Sequence, residues 1–267
     1  MRSRSPRVRL DEVLVQRGQA PSREKARALI LAGRVTVAGS ALLKPGSLVR
    51  TDTPVSVAEA PSYVSRGGHK LAHALDRFSV EPAGLTCADI GASTGGFTDC
   101  LLRRGAERVY AVDVGYGQLD WSLRTDPRVI VLERTNARYL EALPEPIDLV
   151  VVDASFISLQ TLFPAIVRIA RRGAEVVALV KPQFEAGRGR VGKGGVVRDP
   201  EAHRDVLTSF ARWIEEAGLS LLDVVASPIR GPAGNIEFLA HVRLTAGIGH
   251  DPLAAINRAL AEAGDLP

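Results

Sequence analysis

Apolar residues recur along this chain with two different periods, and the change from one to the other falls near residue 60. Before it, Leu10, Val13 and Leu14 share helical spacing, and Gly18 can end that helix. Ser22 is placed to cap a second helix, with Glu24 in the first turn, where the helix dipole favours an anion. Ala26, Leu29 and Ile30 form its apolar stripe, and Gly33 is a natural C′ residue. Short strands are expected at 35–37, 42–43 and 55–57, with a turn at Gly39. Past residue 60, a helix over 69–78 precedes near-continuous apolar runs at 85–90, 108–112, 129–132, 148–152 and 175–180. Helical stretches near 98–104, 158–171 and 200–217 lie between or after them. Strands of this kind, buried on both faces and alternating with helices, predict a mainly parallel sheet. Segments 219–227 and 238–244 are expected at its far edge, and a helix over 252–263 closes the chain. The predicted architecture is α/β: a Rossmann-like domain over 65–267, a linker at 61–64, and a small α+β domain over 1–60.

At 267 residues and 46% hydrophobic, the chain has enough apolar side chains for one or two cores. Its charge is uneven. Residues 1–60 hold 11 Lys and Arg against 5 Asp and Glu, whereas the remainder holds 23 against 25. The net charge of +4 and the pI of 9.3 therefore originate in the N-terminal segment. Such asymmetry points to a polyanion contact on one module, the alternative being a solvated basic surface. Cys87 and Cys100 are the 2 cysteines, with no CxxC, which argues against a disulfide framework or a structural zinc site. His69 and His73 lack a third ligand nearby, so no metal is expected. No apolar run reaches the roughly 20 residues that span a bilayer, and the basic start lacks the apolar core of an export signal. A soluble, cytoplasmic protein without a membrane partner is expected.

The candidate chemistry gathers at strand ends. The first strand of the sheet runs into Asp89-Ile-Gly91-Ala-Ser93-Thr94-Gly95-Gly96-Phe97-Thr98. Glycines at a strand-to-helix turn let the backbone approach a ligand, and the helix N-terminus favours an anionic group. The spacing is not the G-x-G-x-x-G of dinucleotide enzymes, and a tight turn without a ligand is the plain alternative. Asp113 ends the second strand, where a carboxylate can accept from both ribose hydroxyls of a nucleoside. Asn136 lies past the third strand, where it can read an adenine edge, and Asp153 closes the fourth. Polar residues ending successive apolar strands point into one crevice, although each singly can be a loop residue capping a helix. Lys181 directly follows the fifth strand; its amine can take a hydroxyl proton, or it can snorkel out to pair with Asp153. Two basic groups stand apart from these. Arg23, Arg27 and Arg34 fall near one face of the second helix, and Arg188, Arg190, Lys193 and Arg198 punctuate a Gly-rich stretch that can clamp a nucleic-acid strand or be an ordinary flexible loop.

Residues 7–57 resemble the S4 RNA-binding domain, on the runs R-L-D-E-V-L-V-Q-R-G (9–18), S-R-E-K-A-R-A-L-I (22–30) and A-G-R-V-T-V-A-G (32–39). The glycine turn resembles the D-x-G-x-x-x-G-G-F loop of class I methyltransferases, which implies S-adenosylmethionine with its amino-acid end at the turn. Lys70 (in S-R-G-G-H-K-L), Asp153, Lys181 and Glu237 (in G-N-I-E) resemble, in order and context, the K-D-K-E tetrad of FtsJ-like 2′-O-methyltransferases. The resemblance implies a ribose hydroxyl held near the sulfonium methyl, with Lys181 as base or orienting group. Asp153 and Glu237 would then set the electrostatics, and Lys70 would position the substrate. The runs 65–71, 92–98, 113–119, 155–159, 180–185, 194–200 and 231–237 together resemble the TlyA family, historically called hemolysins. Members of that family methylate cytidine 2′-hydroxyls of ribosomal RNA. The extended N-terminus and the last helix resemble the longer subtype, which acts on RNA of both ribosomal subunits, 16S and 23S. Implied RNA contacts are Arg9, Arg23, Arg27, Arg34, Lys44, Arg66, Arg188, Arg190 and Lys193. The linker Pro61-Ser-Tyr-Val64 departs from the Arg- and Trp-containing tetrapeptide of some members. Rival expectations are a methyltransferase acting on protein or a small molecule, a non-catalytic RNA-binding or ribosome-assembly protein, and a pore-forming protein.

Overall fold

Strand β1 (Arg7–Arg9) runs straight into helix α1 (Leu10–Gln16), which buries Leu10, Val13 and Leu14 at the predicted helical spacing. The Ser22 hydroxyl oxygen accepts the Lys25 N–H at 3.2 Å and starts α2 (Arg23–Leu31), as a cap should. Then follow β2 (Val35–Val37), β3 (Leu48–Arg50) and β4 (Val55–Val57). β1 pairs antiparallel with β3, and β2 with β4. Two ribbons and two helices enclose a core that includes Leu14, Ala26, Ile30 and Val35. These elements belong to the first of two compact units, Met1–Pro61 and Ser62–Pro267. The computed structural model describes residues 5–40, 43–58, 62–192, 194–247 and 251–264.

Two expectations for this unit differ from the structure. Of the strand expected at 42–43, Leu42 lies outside the described residues and Leu43 is not in a strand. Pairing falls instead at β3, a three-residue strand that buries only Val49 and so carries no alternation to read. Arg34 lies beyond the end of α2 and does not share the helix face of Arg23 and Arg27; its guanidinium donates to the Ala58 carbonyl at 2.5 Å.

The second unit contains α3 (Gly67–Phe78), β5 (Thr86–Ile90), α4 (Gly96–Arg103), β6 (Arg108–Val112), α5 (Trp121–Arg124), β7 (Val129–Leu132) and β8 (Ile147–Val152). It continues with α6 (Leu159–Ile169), β9 (Ala170–Val180), α7 (Pro182–Glu185), α8 (Pro200–Glu216), β10 (Ser220–Ala226), β11 (Phe238–Arg243) and α9 (Pro252–Gly264). Seven strands form one sheet in the order β10-β11-β9-β8-β5-β6-β7. β7, β6, β5, β8 and β9 run parallel and β11 and β10 lie at the far edge, as the sequence predicts; that this edge is antiparallel is seen only in the structure. Alternate residues of β8 serve two cores: Val150 and Val152 pack with Phe163, Phe210 and Ile256, whereas Leu149 and Val151 pack with Leu71 and Leu101. Helices therefore cover both faces of the sheet, and its strands read as continuous apolar runs for that reason. α6 stops at Ile169 and β9 begins at once, where the sequence suggests helix through 171. The short helix α5 was not foreseen.

Register decides where the polar residues fall. Ile90 lies level with Val112 on one side and Val152 on the other, so residues 91, 113 and 153 leave the sheet together. The strand order changes direction between β5 and β8, the place where open α/β sheets bind ligands. Because β11 is antiparallel, its first residue Phe238 pairs with Val180, the last of β9. Glu237 and Lys181 are thereby delivered to the same sheet edge. Tyr63 and Val64, read from sequence as linker, pack against the core of this unit, and the Val64 N–H donates to Asp99 Oδ2 at 2.9 Å. Among the described residues, no helix is long and apolar enough to cross a membrane.

Candidate active site

The turn after β5 is built on a buried acid. Asp89 Oδ2 accepts the Thr98 N–H at 2.9 Å and the Thr98 hydroxyl at 2.7 Å, while Oδ1 is buried with no partner among the described residues. Burial pushes its carboxyl up to about 7, against the pull of the Thr98 bonds and with an added push from Asp153 and Asp113. Gly91 adopts φ +86, and a Cβ there would lie 2.7 Å from the Asp153 carbonyl oxygen, so only glycine lets the ends of β5 and β8 come this close. A Cβ on Gly96 would lie 2.2 Å from Ser65 Oγ and 2.9 Å from Gly68 N. The start of α4 thus packs on the start of α3, the helix that carries Lys70.

Asp113 is held by backbone as well. Its Oδ2 accepts the Ser93 N–H at 2.8 Å and its Oδ1 the Gly115 N–H at 2.6 Å. A cavity of about 780 Å³ opens beside this turn, lined by Ser93, Thr94, Gly96, Phe97 and Asp153 among others. Asp89, Gly91, Gly95 and Thr98 form the frame beneath it rather than its wall. Asp113 lines an adjoining small recess with Ser93 and Gln118. Asn136 lines neither. Its Oδ1 accepts the Arg138 N–H at 3.1 Å and caps the turn Ala137–Tyr139, the alternative that any strand-end polar residue allows.

Lys70, Asp153, Lys181 and Glu237 all line the cavity, and they form two ion pairs. Lys181 Nζ lies 2.7 Å from Asp153 Oδ1 and donates to Ser155 Oγ at 2.9 Å. Lys70 Nζ meets Glu237 Oε2 at 2.5 Å, with 7% and 1% of the two side chains exposed. Gly231 backs the second carboxylate so closely that a Cβ would lie 2.5 Å from Glu237 Oε1. Sequence reasoning did not single out Ser155, Phe156, Phe184 or Asn235, which also line this space. Phe156 carries the clearest signal in retrospect. It is an aromatic residue in a strand-end loop, 90% exposed, at φ +64, with its ring centroid 5.0 Å from that of Phe184.

The basic candidates divide by what they touch. Arg66 is exposed on the cavity rim. Arg190 is paired with Asp205. Lys193 and the Arg188 side chain lie outside the described residues. In the first unit, Arg9 donates to both oxygens of the buried Asp11 at 3.0 and 2.9 Å, which holds that carboxyl below its usual range. Arg23 reaches Asp11 at 3.5 Å and Glu12 at 3.3 Å. Arg27 and Lys44 are exposed, and their side chains make no hydrogen bond or ion pair among the described residues.

Comparison with known proteins gives a consistent pattern. The family model described as FtsJ-like methyltransferase matches residues 63–244, and the S4 domain model matches residues 8–55. The chain is 52% identical over 241 residues to the 16S/23S rRNA (cytidine-2′-O)-methyltransferase TlyA of Mycobacterium tuberculosis, covering 89% of this chain and 90% of that protein. It is 42% identical to Hemolysin A of Brachyspira hyodysenteriae, covering 88% of this chain and 99% of that protein. A solved hemolysin-designated structure from Streptococcus thermophilus is similar at a TM-score of 0.75 and 42% identity, covering 97% of this chain and 96% of that one.

Proposed function

The chain belongs to the TlyA family of FtsJ-like methyltransferases that carry an S4 domain, and on that premise we propose that it transfers a methyl group from S-adenosylmethionine to the 2′-hydroxyl of cytidine in 16S and 23S ribosomal RNA. The observation that carries this reading is the convergence of two lysine–carboxylate pairs, Lys181–Asp153 and Lys70–Glu237, on one cavity beside the glycine turn. The residues fit the cofactor. A volume of about 780 Å³ lies within the range of roughly 300–1,000 Å³ for small-molecule sites. The glycine turn, whose close approach only Gly91 allows, suits the amino-acid end, and Asp113 keeps lone pairs for two ribose hydroxyls. When bound, S-adenosylmethionine supplies a methyl group already activated by its positive sulfur.

The chain's own residues do the rest. Lys181 Nζ spends one N–H on Asp153 and one on Ser155, leaving a third to hold the 2′-oxygen. Once one Nζ proton has passed to Asp153 Oδ1, the neutral amine would have the lone pair that takes the proton of the 2′-hydroxyl, leaving its oxygen free to be methylated. Lys70, fixed by Glu237, supplies the second lysine–carboxylate pair of the lining. Phe156 and Phe184 offer ring faces to a base turned out of its stack. Arg27 and Lys44 supply phosphate contacts from the S4 domain, and a ribosomal substrate places the activity in the cytoplasm. The test is transfer of labelled methyl to unmodified ribosomal RNA, followed by digestion to nucleosides. 2′-O-Methylcytidine from both RNAs is the expected product; label in protein, in a base-methylated nucleoside or nowhere overturns the reading.

A further inference from the structure

The segment Gly194–Val197 crosses one side of the catalytic cavity, and Gly194 and Gly195 line it together with Lys181 and Glu237. No strand or helix holds this segment. A local turn closes it, the Gly192 N–H donating to the Val196 carbonyl at 3.1 Å and the Gly195 N–H to the Gly192 carbonyl at 3.0 Å, and one side chain ties it to the loop of Glu237. Asn235, 2% exposed, donates from Nδ2 to the Gly195 carbonyl at 2.9 Å and accepts the Val197 N–H on Oδ1 at 2.9 Å. The Val197 carbonyl meets Nε2 of the buried His203, on α8, at 3.0 Å, so this residue is fixed from both ends. Asn235 is itself anchored, because its carbonyl accepts the Gly231 N–H at 2.9 Å, and Gly231 backs the Glu237 carboxylate.

We propose, on the ribose-methylation reading above, that Asn235 is the positioning residue that sets the RNA-facing wall of the cavity by clasping Gly194–Val197 to the loop that carries Glu237. The demand is specific to an amide. One planar head must present a donor and an acceptor at once to two backbone groups that are two residues apart. A carboxylate lacks the donor and an aliphatic isostere lacks both. Asn235 stands two positions before Glu237, so a single turn fixes both the ion pair with Lys70 and the part of the lining formed by Gly194 and Gly195. The clasp acts on the substrate side: none of its hydrogen bonds reaches the Asp89–Thr98 turn. Arg198 follows Val197 directly, so the clasp also fixes where an exposed cation leaves the wall.

The experiment compares the full-length protein with Asn235→Leu and with the isosteric Asn235→Asp, which keeps the acceptor for Val197 and loses the donor for Gly195. Hydrogen exchange read by mass spectrometry should show residues 194–197 losing about tenfold or more in protection in Asn235→Leu, and less in Asn235→Asp. Residues 86–98 should be unchanged. KM for ribosomal RNA should rise by about tenfold or more, while calorimetric affinity for S-adenosylmethionine stays within about twofold. If Asn235→Leu does not fold, the Asp variant carries the same test with the smaller change. Unchanged exchange at 194–197, or lost protection without any change in KM for RNA, overturns the proposal. An equal loss of S-adenosylmethionine affinity also overturns it, because that is the mark of general destabilisation. Wild-type protein that methylates no RNA would instead overturn the ribose-methylation reading, and the exchange comparison would still decide whether Asn235 holds the segment.

Discussion

Lys70→Met removes one half of the most buried ion pair in the cavity and should cost more stability than any single surface change. Lys70 and Glu237 are 7% and 1% exposed, with Nζ and Oε2 2.5 Å apart. Taking away the ammonium leaves a carboxylate sealed from water without its countercharge, which typically costs about 3–5 kcal/mol. A charge-assisted bond alone would account for only about 1.5–3 kcal/mol of that. In a unit of this size each kcal/mol lowers Tm by roughly 2–4 °C, so a drop of about 6–20 °C is expected. The double variant Lys70→Met with Glu237→Leu removes the stranded charge as well, and most of the loss should return. Trp121 and Trp213 are the 2 tryptophans of the chain, and both lie in the unit Ser62–Pro267, so fluorescence melts report on this unit alone. Methyl transfer should be lost in the single and the double variant alike. The reasoning fails if Lys70→Met melts within about 1 kcal/mol of wild type, or if the double variant is no more stable than the weaker single. An active double variant would remove Lys70 and Glu237 from the chemistry.

Lys181→Ala should bind RNA and S-adenosylmethionine yet lose about 10²–10⁴-fold in single-turnover methylation, and Lys181→Arg should not restore it, because a guanidinium does not exchange its proton. Asp113→Ala should weaken calorimetric S-adenosylmethionine affinity by about 10-fold or more while RNA affinity is nearly unchanged. Asp89 is an acid whose folded-state value is raised from 3.8 to about 7, so the folded state binds more protons between those values and stability falls as pH rises through that window. Asp89→Asn should flatten the slope in urea melts across it. Arg27→Ala with Lys44→Ala should leave thermal stability unchanged, since neither side chain has a hydrogen-bond or ion-pair partner among the described residues, and should reduce the salt slope of RNA binding by roughly one to two contacts.

The sequence speaks clearly where chemistry is local and poorly where register decides. The Ser22 cap is legible from its residue type, and the apolar strands and the edge position of the last two are legible because burial imposes a period or a composition on neighbouring residues. Glu237 joins Lys70 across 167 positions only because β11 enters the sheet opposite the end of β9, and no spacing along the chain encodes that. Asn136 shows how a local signal can fit two roles. An amide at a strand end suits an adenine edge and suits a turn cap equally, and here its oxygen is engaged with the Arg138 N–H. Arg34 illustrates a similar limit, since its place relative to Arg23 and Arg27 depends on where α2 stops, and the helix ends three residues before it. The Arg9 and Arg23 guanidinium groups both lean on Asp11, a wholly buried acid that the apolar pattern does not reveal. The basic face of the first unit is therefore partly self-neutralised, which moves the weight of RNA contact toward Arg27 and Lys44.

Lys181 brings the local and the non-local together. From sequence it has two competing readings, a group that handles a hydroxyl proton and a lysine that merely pairs with Asp153. The structure makes these one arrangement, because the pairing fixes the amine in the cavity rather than drawing it out to solvent. Asp153 and Ser155 take two of its three donors from one side, so the remaining N–H has a single direction left. An unpaired lysine at that strand end would sample many rotamers and would have to be ordered by the substrate each time, at a cost of up to about 2 kcal/mol in side-chain entropy. The ion pair has already fixed those rotamers in the folded protein. Ser155→Ala should therefore leave Lys181 paired but less well aimed, with a smaller loss in methylation than Lys181→Ala and no change in cofactor affinity.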